Sequence, residues 1–147
     1  MINLGYCCIN LTLANEGIRT SRSMIQRTFK TKGIEYASKL ALENVKDLHK
    51  IITCNVKNNV KLYRITSNLF PWESEYQIQD LSEQENIVNK LQEIGQLIRL
   101  SGIRVSFHPS HFVKLGSERA SVIENSINNV DHHAKIFDLM ELPRTHD

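Results

Sequence analysis

The stretch Ile103-Arg104-Val105-Ser106-Phe107, followed by His108-Pro109-Ser110-His111-Phe112, decides the fold that this sequence predicts. The first five residues are typical of a short buried strand. Pro109 cannot donate to a sheet and keeps the preceding residue extended, so His108 is predicted to be the last strand residue. Ligands and metals bind at such carboxyl edges in α/β proteins. His108 is therefore the candidate metal ligand, the alternative being a structural histidine.

On both sides of this stretch, strand-like and helix-like segments alternate. Strands are predicted at residues 2–9, 62–66 and 103–107, and a first helix at residues 35–56. A second helix is predicted to begin at a capping box of Ser82 and Glu85 and to end at Gly102. A third is predicted to begin at a capping box of Ser121 and Glu124 and to end at Pro143. Strands that alternate with helices predict a parallel sheet with right-handed crossovers.

The lengths of the connections indicate which edge of the sheet carries the site. The predicted strand-to-helix connections are long (residues 10–34, 67–81 and 109–120), whereas the helix-to-strand connections are short (residues 57–61 and Gly102). This asymmetry favours a TIM-barrel type (β/α)8 fold with its site at the carboxyl face, although a doubly wound sheet fits the pattern almost as well. Three to four βα units are too few for a closed barrel. Residues 1–147 are accordingly predicted to be the N-terminal part of a single barrel domain.

The composition excludes few classes of protein. The chain has 147 residues, 41% of them hydrophobic and 23% charged, with a net charge of +2, which is ordinary for a globular protein. The sequence shows no apolar run long enough to span a membrane and no signal-peptide pattern. Cys7, Cys8 and Cys54 lack metal-ligand spacing, so they are predicted to be buried, reduced thiols of a cytoplasmic protein.

The first long connection contains a cluster of basic residues without acidic ones between them. Hydroxyl residues alternate with these side chains, and such a stretch suits the backbone of a polyanion such as DNA. The alternative is an ordinary solvated loop. The candidate DNA-binding residues are Arg19, Arg22, Arg27, Lys30 and Lys32.

Two further pairs lie near predicted strand ends. His111 and Phe112 place a polar ring beside an apolar one, which suits a wedge between stacked bases, unless Phe112 folds back onto the rim of the sheet. Tyr6 and Asn10 mark the end of the first strand and can direct hydrogen-bonding groups towards a common centre. His132 and His133 have no partner histidine at helical spacing and are predicted to be surface or packing residues.

Four motifs in sequence order resemble the UV damage endonuclease family. They are Leu4-Gly5-Tyr6 with Ile9-Asn10-Leu11-Thr12-Leu13; Thr20 with Arg22; Tyr63-Arg64-Ile65-Thr66-Ser67 with Phe70-Pro71; and Ser106-Phe107-His108-Pro109 with Phe112-Val113 and Leu115-Gly116-Ser117. Because they follow one another over essentially the whole chain, the resemblance is specific.

The resemblance implies a TIM barrel with a cluster of divalent metals, usually manganese, that nicks DNA 5′ to ultraviolet photoproducts in excision repair. It implies that His108 is a metal ligand, that Tyr6 and Asn10 are catalytic, and that His111 and Phe112 probe the damaged double-stranded DNA. The family commonly has glutamine at the position of His111. Family members are about twice as long as this chain and carry further ligands on later strands, so the isolated chain is expected to be inactive and to expose barrel edges that favour self-association.

Two other functions remain open at this point. A sugar isomerase-like barrel would share the fold and the metal chemistry, but its binding would not depend on salt, unlike that of DNA. A non-catalytic DNA-binding or assembly module is the other possibility, if the 147 residues are the mature protein.

Overall fold

The computed structural model of the protein describes residues 3–144, and its elements follow the predicted alternation of strands and helices. Their bounds are β1 Gly5–Cys7, α1 Leu11–Asn15, α2 Gln26–Lys57, β2 Leu62–Ile65, α3 Gln84–Ser101, β3 Arg104–Phe107 and α4 Ala120–Leu139, with 3-10 turns at Ser67–Leu69, Glu73–Glu75 and Ile78–Asp80 between β2 and α3.

The three strands form one parallel sheet in the order β1-β2-β3. Tyr6 lies opposite Tyr63, which lies opposite Val105. The predicted parallel α/β arrangement is therefore confirmed. The strands are shorter than predicted: β1 ends before Cys8, which has a left-handed φ of 57° that breaks the extended conformation. Ile2, included in the predicted first strand, lies outside the described residues.

One face of the sheet carries the hydrophobic core. Tyr63 and Ile65 of β2 are fully buried and belong to one hydrophobic cluster with apolar residues of α2 and α3. Helix α2 contributes a buried apolar stripe, whose residues at helical spacing have at most 1% exposure: Ala37, Ala41, Val45, Leu48, Ile51 and Ile52. Strand alternation places the other side chains, such as Cys7 and Arg64, on the opposite face, which no described helix covers. The prediction that the cysteines are buried is wrong, since Cys7 is exposed and Cys8 and Cys54 are half-buried.

The starts of the helices differ from the prediction. A helical segment begins at Gln26 within the predicted first loop, and Gly33, with φ of 66°, separates it from the longer segment that follows. Neither predicted capping box forms. At α3 a tertiary contact takes its place, because the Glu83 N–H donates to Ser38 Oγ at 2.8 Å. A local capping motif in the sequence therefore did not decide where these helices begin.

The end of α3 is as predicted, whereas the end of α4 is not. Gly102 has φ of 67° and its N–H donates to the Ile98 carbonyl, as a glycine at a helix C-terminus does. Helix α4 ends at Leu139, before Pro143. The Arg99 guanidinium from α3 donates to the Met140 carbonyl at 2.7 Å, so the end of α4 is held by a neighbouring helix rather than by proline.

Candidate functional site

His108 lies at the carboxyl edge of the sheet, as predicted. Its N–H donates to the Ile65 carbonyl at 2.7 Å and so continues the β2–β3 pairing by one residue beyond Phe107. Phe107 is buried in the core, and alternation turns the next side chain to the uncovered face of the sheet. The imidazole is exposed, with Nδ1 3.0 Å from the Pro109 carbonyl oxygen, so Nε2 is available to an incoming ligand.

Tyr6 and Asn10 are brought together, but not on the face that carries His108. Tyr6 points to the helices, where its hydroxyl donates to Asn55 Oδ1 at 2.5 Å and accepts from Asn10 Nδ2 at 2.9 Å. Burial raises the pKa of Tyr6. The expected common centre of Tyr6 and His108 is therefore not formed by the described residues. Asn10 also accepts from the Leu13 N–H and begins α1.

Arg22 has an internal role that the sequence did not indicate. Its guanidinium lies 2.7 Å from Asp47 and 3.4 Å from Glu43, and it also donates to the carbonyls of Arg19 and Gly17. The Arg22 side chain is only 19% exposed. Its charge thus holds the first connection against α2 instead of facing a phosphate backbone.

Asp47 is the buried anchor of this connection, with a side chain only 6% exposed. It accepts from Arg22, from the Arg19 backbone N–H at 3.1 Å and from Lys50 Nζ at 2.8 Å. Burial alone would raise the pKa of Asp47, but these donors together hold the pKa below its usual value. The neighbouring buried Asn44 adds two hydrogen bonds to the Arg22 backbone.

The other basic candidates present their charges to solvent. Arg19 is exposed, and Arg27, Lys30 and Lys32 are exposed on the short helical segment before Gly33. Among the described residues none of these four forms an ion pair, while the Lys32 ammonium lies 4.3 Å from the centre of the Tyr36 ring. These four exposed side chains, all on the part of the chain that follows β1, are called the basic surface below.

His111 and Phe112 form an exposed aromatic pair after β3. Their ring centres are 3.9 Å apart, and Phe112 is 74% exposed. Phe112 therefore does not fold back onto the rim, and the ring remains available for stacking against another molecule. It borders an open cavity of about 280 Å³ that is lined by the connections after β2 and β3 and by α4.

Sequence reasoning missed Glu73, which lies in the wall of that cavity. Its carboxylate accepts from Asn129 of α4 and lies 3.5 Å from His132 Nε2. Burial raises the pKa of Glu73 to about 7. His133 packs on Phe107 with ring centres 4.4 Å apart, which confirms its predicted packing role. The available signal for Glu73 was its position beside the aromatic residues Phe70 and Trp72, which predict a covered segment.

The described residues do not by themselves hold a metal cluster. Between residues 3 and 144 no three His, Cys, Asp or Glu side chains are arranged to bind one ion. The exposed imidazole of His108 can supply one ligand, whereas a catalytic zinc site, for comparison, takes three from the protein. None of the helices within this range is long and apolar enough to cross a membrane.

Comparison with known proteins gives consistent results. The family model described as UV-endonuclease UvdE matches residues 2–147. A protein of Acanthamoeba polyphaga mimivirus is 34% identical over 147 residues, and the UV DNA damage endonuclease of Clostridium perfringens is 30% identical over 141; the alignments cover 95% and 96% of this chain but 43% and 32% of those proteins. The crystal structure of SacUVDE superposes with a TM-score of 0.84 at 26% identity, over 97% of this chain and 47% of that one. The chain thus spans less than half the length of each of these relatives.

Proposed function

This chain belongs to the UV-endonuclease UvdE family, and from that membership we propose that it takes part in DNA repair as a metal-dependent endonuclease that nicks DNA 5′ to ultraviolet photoproducts. The observation that carries the proposal is the position of His108, His111 and Phe112 at the same carboxyl edge of a parallel sheet. In the complete TIM barrel that we propose, this edge is the catalytic face.

The proposed substrate is ultraviolet-damaged double-stranded DNA. The exposed basic side chains Arg19, Arg27, Lys30 and Lys32 supply sequence-independent contacts to phosphates. Damaged bases stack and pair poorly, so extruding them costs less than extruding normal bases. The exposed rings of His111 and Phe112 suit the gap that remains.

The proposed cofactor is a divalent metal, with manganese the ion that the resemblance implies. His108 would be one ligand, and the others would have to come from outside the described residues. Catalytic roles for Tyr6 and Asn10, self-association through the free edges of β1 and β3, and a cytoplasmic location stay predictions. Because the described residues offer so few ligands, a non-catalytic DNA-binding module is the second candidate function.

We expect binding of irradiated duplex DNA to depend on the lysines of the basic surface. The double substitution of Lys30 and Lys32 by glutamine should reduce the slope of log K against log salt by about two, since each lost phosphate contact removes about 0.9. Fluorescence anisotropy over a series of salt concentrations measures this slope. Substituting Lys57 and Lys61 by glutamine is the matched control, because these exposed lysines lie at the opposite, amino edge of β2. Equal losses from both pairs would contradict the proposed interface.

We expect the purified 147-residue chain to leave irradiated plasmid uncut in the presence of manganese. One imidazole at the sheet edge cannot hold the cluster of metals that would activate water and stabilise the leaving oxygen. Gel analysis of supercoiled plasmid, with and without irradiation, measures nicking. Nicking that requires both manganese and irradiation would show that the chain alone assembles the complete centre.

A further inference from the structure

A cluster of polar side chains lies where the 3-10 turn Glu73–Glu75 packs against α4. Glu73 and His132 have side chains only 17% and 12% exposed. Asn129 donates its amide N–H to Glu73 Oε1, which leaves the second carboxyl oxygen, Oε2, directed at His132. Phe70 covers the imidazole edge-on with a ring separation of 5.4 Å. The cluster is therefore enclosed between the β2–α3 connection and α4.

Glu73 Oε2 and His132 Nε2 face each other without forming a hydrogen bond. The two atoms are 3.5 Å apart, and neither has a hydrogen-bond partner within residues 3–144. A buried polar atom without a partner costs about 1–3 kcal/mol. A proton on Glu73 Oε2 gives both atoms a partner, because the carboxyl O–H can donate to the Nε2 lone pair of the neutral imidazole that carries its own proton on Nδ1.

Burial, more than the neighbouring charges, favours this neutral arrangement over an ion pair. Burial raises the pKa of Glu73 to about 7, although the hydrogen bond from Asn129 partly opposes the shift. Burial, followed by the nearby His133 and Lys135 of α4, lowers the pKa of His132 to about 4. Tyr76, on the same connection as Glu73, keeps its proton because burial raises its pKa.

We propose that Glu73 is a proton-controlled positioning residue: in its neutral form it donates to His132 Nε2 and docks the β2–α3 connection on α4, and loss of the proton releases this connection. Without the proton, a buried carboxylate faces a ring nitrogen across 3.5 Å, and among residues 3–144 only Asn129 donates a hydrogen bond to it. Moving the turn towards solvent hydrates the carboxylate, which burial otherwise disfavours.

Release would act on the cavity beside the candidate DNA-binding pair. Glu73 and Asn129 line the cavity of about 280 Å³ together with Ser110 and Phe112. Movement of the β2–α3 connection therefore changes the space next to the exposed ring of Phe112. This consequence for DNA rests on the proposed function, whereas the proton-controlled contact does not.

The neighbouring Trp72 provides a direct readout, since it is the only tryptophan in the chain. Its ring stacks on Phe29 at 5.2 Å, and its N–H donates to the Met24 carbonyl at 2.9 Å, so its surroundings are fixed while the connection is docked. In a titration of the 147-residue chain from pH 5 to pH 9, we expect the Trp72 emission to change in one single-proton step with a midpoint near pH 7. Glu73→Gln should abolish this step, because the amide cannot ionise and still donates to His132.

Two variants show which group controls the step. Glu75→Gln removes an exposed carboxylate two residues away and should leave the step unchanged. His133→Gln removes the other buried histidine and should also preserve it. Hydrogen exchange of residues 67–75, corrected for intrinsic rates, should show a loss of protection from pH 6 to pH 8 in the original chain but not in Glu73→Gln. Absence of the step, its persistence in Glu73→Gln, or its loss in His133→Gln would overturn the proposal. Because no measurement involves DNA, failure here is distinguishable from failure of the proposed function.

Discussion

Replacing Asp47 with alanine is expected to lower the free energy of unfolding by about 3 kcal/mol, the scale for breaking a buried ion pair by removing one partner. The substitution leaves Arg22, which is only 19% exposed, without its main counter-charge, and it removes the acceptor for the Arg19 N–H. Urea denaturation at pH 7, followed by Trp72 fluorescence, measures the change.

Glu43→Ala is the matched control for this substitution. Glu43 also contacts Arg22, at 3.4 Å, but its side chain is 60% exposed, so its loss should cost less than about 1 kcal/mol. Asp47→Ala should also weaken binding to irradiated DNA more than Glu43→Ala, because Asp47 fixes the connection that leads to the basic surface. Equal destabilisation by the two substitutions would show that Asp47 does not anchor this connection.

The pH dependence adds a second check on Asp47. Since the folded protein holds the pKa of Asp47 below its unfolded value, the stabilisation is present above the unfolded pKa and is lost as the pH falls through the folded pKa. The difference in stability between the original chain and Asp47→Ala should therefore narrow in acid.

Replacing Glu73 with glutamine is expected to stabilise the protein at pH 8 by up to about 3 kcal/mol, from about 1.4 kcal/mol for each unit of pKa shift. The pKa of Glu73 is raised from 4.5 to about 7, so its favourable contribution is complete below pH 4.5 and is lost as the pH rises to about 7. A glutamine, which does not ionise, avoids this loss. Release of the β2–α3 connection would reduce the gain, because an opened turn rehydrates the carboxylate.

Because of His132, the way in which the free energy of unfolding changes with pH is a sharper test than its value at any one pH. The pKa of His132 is lowered from 6.5 to about 4, so its effect on stability has the opposite sign and rises with pH over that interval. The two effects nearly cancel in the original chain between about pH 4.5 and 6.5. Glu73→Gln should expose the rise due to His132 in thermal unfolding measured across this range, whereas Glu75→Gln should not. A constant difference between Glu73→Gln and the original chain at all pH values would contradict the raised pKa.

The parallel sheet and its carboxyl edge were predictable because they follow from local patterns. Apolar runs placed β2 and β3 to within one residue, and Pro109 placed His108 at the strand end. The resemblance to the UV damage endonuclease family, confirmed by the match over residues 2–147, depends on the same segments. Periodicity and turn residues carry this information within a few positions of sequence.

The contacts that give site residues roles other than the predicted ones link residues far apart in the sequence. In the sequence Arg22 is like the other basic candidates, but in the fold Asp47, 25 positions later, contacts its guanidinium. Glu73 is an ordinary acidic residue until α4, 56 positions later, places Asn129 beside it. The Tyr6 side chain points away from that of His108 because strand alternation places it on the face of the sheet covered by helices, where Asn55 accepts a hydrogen bond from its hydroxyl. No local pattern reports which partner a polar side chain meets after folding.

The break at Gly33 separates two roles within one long helix. The part after it contributes the buried stripe, whereas Arg27, Lys30 and Lys32 lie on the part before it, where no residue is fully buried and the Phe29–Trp72 stack is the aromatic contact. Lys32 lies over the Tyr36 ring of the longer segment, but changes at Arg27 and Lys30 need not disturb the packing of that segment. Arg27 and Lys30 can therefore change in evolution or by design with little effect on folding.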